Sequence, residues 1–128
     1  MVGVPELKVL EGVINKLDTM IVSLEAVKDL WGDVIVPSGR AFMSPRLRQQ
    51  IIERNKRKMS DAISTMKFVK QRIEFELRRG TSPNLILESL WAWVYDHEKD
   101  PNEFIAEAAQ ELAKMLRMGG WYVKMARR

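Results

Sequence analysis

Arg54, Lys56, Arg57 and Lys58 fall within five consecutive positions, with Glu53 the only acid beside them. Guanidinium forks and ammonium point charges grip phosphate oxygens without reading a base. The block belongs to a larger set. Residues 44–79 carry eleven Lys and Arg (46, 48, 54, 56, 57, 58, 67, 70, 72, 78, 79) against four acids (53, 61, 74, 76), a net charge of +7. The whole chain is only +4, so the remainder sums to −3. Positive charge concentrated on one segment suits a polyanion. The plain alternative, a face that only keeps the chain dispersed, usually mixes its signs. The candidate contact set is Arg46, Arg48, Arg54, Lys56, Arg57, Lys58, Lys67 and Arg72.

Aromatic residues form a second set. Phe68 and Phe75 lie on the same basic side and could stack on bases or insert against a neighbouring subunit; aromatics so placed are more commonly contacts to a second helix layer. Trp121 and Tyr122 open a basic, aromatic tail, 121–128, of net charge +3, which could clamp a strand or dock on a neighbour. These four are the candidate subunit contacts. Trp91 and Trp93 read most simply as buried core.

Catalytic and metal chemistry find little support. Cysteine is absent, and His97 is the single histidine, which removes thiolate sites and multi-histidine metal sites within one chain. Glu103, Glu107 and Glu111 make an acidic stripe, but no Glu-x-x-His pair accompanies it as a di-iron bundle requires. The stripe reads as a solvated or subunit-facing surface that could meet a neighbouring copy's basic segment. No phosphate-binding loop, nucleophile elbow or HExxH pattern occurs. The expectation is a non-enzyme without cofactor or metal. No apolar run approaches the ~20 residues of a membrane span. The opening Met1–Pro5 lacks the basic flank and apolar core of a secretory leader, so a protein made and used inside a cell, or in a particle assembled there, is expected.

Helices must position these groups. At ~100° per residue, Ile51, Ile52, Met59, Ala62, Ile63, Met66, Val69, Ile73 and Leu77 share an arc roughly 120° wide, with most of the Lys and Arg opposite. Four of the five prolines follow Val4, Ser44, Ser82 and Asp100, each at a first-turn position where the missing N–H costs nothing. Asp100 with Glu103 resembles a capping box. Gly80 and Gly119-Gly120 are helix closers. The spacing therefore predicts an all-α single domain with helices over about 5–30, 44–79, 83–97 and 101–118. Leu10, Leu17 and Ile21 give the first a bundle-facing stripe. The third, with Leu85, Ile86, Leu87, Leu90, Trp91, Trp93 and Val94, is apolar on most sides and calls for cover all round. Asp33–Val36 is the only β-like stretch.

Length adds a constraint. A helix over 44–79 would extend roughly 54 Å. A compact domain of this size has a radius of gyration near 14 Å and hence a diameter of about 36 Å. Residues 53–58 offer no apolar side chain. The sequence thus predicts a basic arm, residues 44–58, reaching past a small bundle.

A small, cysteine-free, all-helical chain with one long basic helix resembles the major capsid proteins of filamentous archaeal viruses. The resemblance spans most of the chain and is one of layout, without a signature motif. It implies helical subunits that wrap double-stranded DNA in its A form and stack into a filament within a virion assembled in the host cytoplasm. Arg46, Arg48, Arg54, Lys56, Arg57, Lys58 and Lys67 would then line the DNA side, with apolar faces and tail between subunits. Many members carry much of their positive charge near the N-terminus, whereas residues 1–43 here have four basic residues against six acids. Two other readings use the same features: an accessory subunit of an RNA-guided complex that binds RNA or single-stranded DNA, and a protein-interaction bundle with no nucleic-acid partner.

Overall fold

Helix starts and stops follow the punctuation of the chain. The computed structural model describes residues 4–30 and 44–118, and within them are four helices: α1 (Val4–Leu30), α2 (Pro45–Arg78), α3 (Pro83–His97) and α4 (Glu103–Met118). No strand occurs among the described residues, and the fold is an all-α bundle. Ser44 is extended, and its Oγ accepts the Leu47 N–H at 3.1 Å, with Pro45 opening the helix. One orphan donor of α2 is thereby satisfied. At the other end Gly80 takes φ +85°; its N–H donates to the Leu77 carbonyl (3.1 Å), and the Thr81 N–H donates to the Glu76 carbonyl (3.0 Å). That double closure needs a left-handed residue, which glycine supplies without a Cβ penalty.

The start of α4 differs from the sequence reading. Asp100 Oδ1 accepts the Asn102 N–H at 2.8 Å, forming a local turn across Pro101. Asn102 Oδ1 then accepts the Phe104 N–H at 3.0 Å and becomes the cap. An Asx side chain satisfies its own backbone two residues on, so Asp100 spends its oxygen before the helix begins.

Side-chain pairs fix the helix directions. Asp18–Lys70 (2.6 Å) and Glu25–Lys67 (3.8 Å) run α1 antiparallel to α2. Lys16–Glu111 (3.7 Å) sets α4 antiparallel to α1, and Arg117–Glu98 (3.7 Å) with Gln110 donating to the Glu98 carbonyl (3.1 Å) sets α3 against α4. The order is up-down-up-down. The core joins Leu10, Val13, Leu17 and Ile21 to Met66, Val69 and Ile73, to Leu87, Leu90 and Val94, and to Leu112 and Leu116. Each such side chain contributes about 1.5–3 kcal/mol on burial. Gly12 faces α4, where a Cβ would lie 3.1 Å from Met115 Cε, the flexible end of that side chain.

Two packing expectations change. α2 is one unbroken helix of 34 residues, about 51 Å long, and residues 45–50 are exposed throughout. Burial begins at Ile52, however, and the turn at Lys58 lies beside α4: Asn102 Nδ2 donates to the Lys58 carbonyl at 2.9 Å. Amide and carboxylate partners from the α4 start give this polar turn a place in the bundle, so the expected arm of 44–58 is free over a shorter stretch. α3 is also not covered all round. Ile86, Leu87, Leu90 and Val94 are buried, Trp91 and Trp93 are half-buried, and Leu85 and Tyr95 are exposed. With only three other helices to pack on, a short outer helix keeps one side to solvent. Trp93 instead stacks on His97 (4.5 Å), and Arg117 lies over Trp91 (5.8 Å). The β-like stretch, Gly119-Gly120 and the tail lie outside the described residues.

Candidate nucleic-acid interface

The expected contact residues separate into three groups once ion pairs are counted. Arg46, Arg54 and Arg57 are exposed and Lys56 is half-buried, and none of the four pairs with a carboxylate among the described residues. Arg48 is exposed as well. The first turn of α2 contains no acid, so the positive end of the helix dipole adds to these charges.

Lys58 and Lys67, by contrast, turn toward neighbouring helices. Lys58 Nζ lies 3.2 Å from Glu103 Oε2, and Lys67 Nζ lies 3.8 Å from Glu25 Oε2. The Glu103 carboxyl is held below its ordinary value, first by a hydrogen bond from its own backbone N–H and next by Lys58. Lys70 behaves likewise: its hydrogen bond with Asp18 raises the ammonium above the usual lysine value. Exposed pairs of this kind add little to stability, so phosphate can compete with them.

Arg72 belongs to a third arrangement. Glu76, with a side chain only 15% exposed, accepts a hydrogen bond from the Thr81 hydroxyl (2.7 Å) and forms ion pairs with Arg72 (3.2 Å) and Arg79 (3.6 Å). Thr81, then Arg79 and Arg72, hold its carboxyl below the ordinary range. Both guanidiniums lie over the Phe75 ring, 5.7 and 6.0 Å from its centre. Phe68 and Phe75 are 66% and 44% exposed, so neither joins a second helix layer. The sequence reading named Arg72 and Phe75 for different roles and left Arg79 and Glu76 out. Their signal was present as Arg-x-x-Phe-Glu-x-x-Arg, a spacing that brings i, i+3, i+4 and i+7 together on one side. Trp121 and Tyr122 lie outside the described residues.

Eighteen residues are five helical turns, so Arg54 shares a bearing with Arg72, and Arg57 with Phe75, about 27 Å apart. Asp61 is the acid on that line. The acidic stripe on α4 is mostly engaged: Glu103 holds Lys58, and Glu111 holds Lys114 (3.1 Å) and Lys16, which keep its carboxyl low, Lys114 first. Among the described residues no group of side chains could hold a metal ion, and no helix is long and apolar enough to cross a membrane. Several grooves open on the surface of the described residues, two of them bearing on the helices named above. One, about 420 Å³, lies between α1 and α4; the other, about 280 Å³, lies between α2 and α3 beside Phe68 and Arg72. Comparison with protein-family models, curated proteins and solved structures finds no match to this chain.

Proposed function

We propose that this chain is a structural nucleic-acid-binding protein, a coat subunit that wraps double-stranded DNA through phosphate contacts and self-assembles along it into a filament. The observation that carries the reading is the set Arg46, Arg54, Lys56 and Arg57, without carboxylate partners among the described residues around the exposed start of α2. A stability role for these side chains would call for partners, and the described residues supply none. An α-helix fits the major groove or follows the backbone, and such contacts are sequence-independent. Lys58 and Lys67 join when phosphate displaces Glu103 and Glu25, and Arg48 extends the contact toward the helix start. Exposed Val22 (66%) and Leu30 (52%) on α1 supply apolar surface for contacts between copies. The protein needs no catalytic step or cofactor in this role, and its place would be the virion.

The test is electron microscopy of the full chain with and without long duplex DNA. Filaments that require DNA and a high protein-to-DNA ratio support the coat reading. A monomer or dimer that forms no filament on duplex DNA and binds only RNA or single strands would favour an accessory subunit of a nucleic-acid-guided complex, and failure to shift any oligonucleotide at low salt would leave a protein-interaction bundle.

A further inference from the structure

We infer that the C-terminal half of α2 carries a second nucleic-acid site, a stacking platform for unpaired nucleotides built from Phe75 between Arg72 and Arg79 together with Phe68 and the groove beside it. This rests on the reading that α2 meets nucleic acid, and it adds a preference that phosphate contact alone does not supply.

Three observations converge. First, two phenylalanines seven residues apart are exposed on the solvent side of a helix whose opposite side is buried, where burial cannot explain them. Second, Phe75 is framed rather than loose. Glu76 draws both Arg72 and Arg79 onto one carboxylate oxygen and is itself fixed by Thr81, so the guanidiniums stand over the ring. The three charges leave +1, and Arg78, which pairs with no carboxylate among the described residues, adds another, which suits a phosphodiester. Third, Phe68 stands at a groove lined by Ile73, Leu85, Leu90 and Trp93, with Ser89 and Thr81 at hand for polar edges. Its volume of about 280 Å³ accepts a planar heterocycle.

The occupant follows from the charge. An apolar face framed by arginine selects a ligand that is flat and apolar on its face and anionic at its edge. A base with its phosphate meets both demands, because every base has a π-face and arginine adds a cation–π contact. In a duplex those faces are stacked away, so the platform discriminates for unpaired strand. The rings lie about 10 Å apart along α2. Arg54 and Arg57 share the bearing of Arg72 and Phe75 about 27 Å away, which lets one strand reach from the platform to the helix start past Asp61.

The experiment measures fluorescence anisotropy of labelled oligothymidylate and of a labelled duplex of equal length at fixed salt. It compares the wild-type chain, Phe68→Ala/Phe75→Ala, Phe75→Trp and Arg54→Glu/Lys56→Glu/Arg57→Glu. Both phenylalanines are exposed, and circular dichroism with a thermal melt checks that each variant is folded. The double alanine variant is expected to lose about ten- to a hundredfold in affinity for the single strand while duplex affinity stays within about twofold. Phe75→Trp is expected to retain single-strand binding and to show tryptophan quenching on saturation. Unchanged single-strand affinity in the double variant overturns the platform. So does wild-type self-association, measured by sedimentation, that the double variant abolishes, since the patch would then be an interface between copies. If the charge reversal leaves both affinities unchanged, the reading of the α2 start as the phosphate contact fails instead, and the phenylalanine result still decides the platform.

Discussion

Replacing Arg54, Lys56 and Arg57 together by alanine should change the salt dependence of duplex binding by a calculable amount. Four cations at the start of α2 lack carboxylate partners among the described residues: Arg46, Arg54, Lys56 and Arg57. If each neutralises one phosphate, at about −0.9 per contact, they add about −3.6 to a slope of log affinity against log salt to which Arg48, Lys58 and Lys67 also contribute. These four alone weaken binding about 150-fold for a fourfold rise in salt. The triple variant loses three of them, so its slope is shallower by about 2.7 and the same salt step costs about 40-fold less than in the wild type. Lys58 is left in place because it holds Glu103 and its carbonyl accepts from Asn102, so altering it would mix stability with binding. The assay is anisotropy titration of a labelled duplex at several salt concentrations, with circular dichroism checking that helicity is retained. A wild-type slope near zero, or a triple variant with an unchanged slope, would refute the assignment.

Leu17 is fully buried and Met66 is 2% exposed, so Leu17→Asp or Met66→Asp buries a carboxylate without a partner and should abolish the cooperative thermal transition; a folded, fully helical variant would show the core wrongly drawn. Asn102→Ala removes the α4 cap and the bond to the Lys58 carbonyl, costing about 1–2 kcal/mol and lowering the melting temperature by roughly 4–16 °C, whereas Asp100→Ala should cost less. Glu76, Glu103 and Glu111 all titrate below the ordinary carboxyl value of 4.5, so their stabilisation is complete above that value and is lost as pH falls through their depressed ones. Melting temperature should therefore decline on acidification below about pH 4.5, and Glu76→Gln should shallow that decline; a wild-type protein that gains stability there would contradict the sign.

Much of the fold was legible because its signals are local. Ser44-Pro45 and Gly80 act through bonds to residues three to five positions away, and the apolar arc from Ile52 to Ile73 depends only on the helical period. The candidate site was legible only in part. Charge counting identified α2, yet it treated Lys58, Lys67 and Lys70 like Arg54 and Arg57, although each of those lysines meets a carboxylate more than forty positions away in sequence. Trp91 and Trp93 do pack against the core but stay half-buried at its edge, since composition records how apolar a helix is but not how many neighbours it has.

Composition and spacing by themselves determined that this chain is helical, where its helices turn, and that its cations gather on one of them, because caps, closers and amphipathic arcs are short-range physics. Tertiary structure decided which cations are left free. That outcome depends on how α1 and α4 lie against α2, which brings Lys58 to Glu103, Lys67 to Glu25 and Lys70 to Asp18. Charge alone says how much attraction a segment can offer; only the packing says how much the protein has already used on itself.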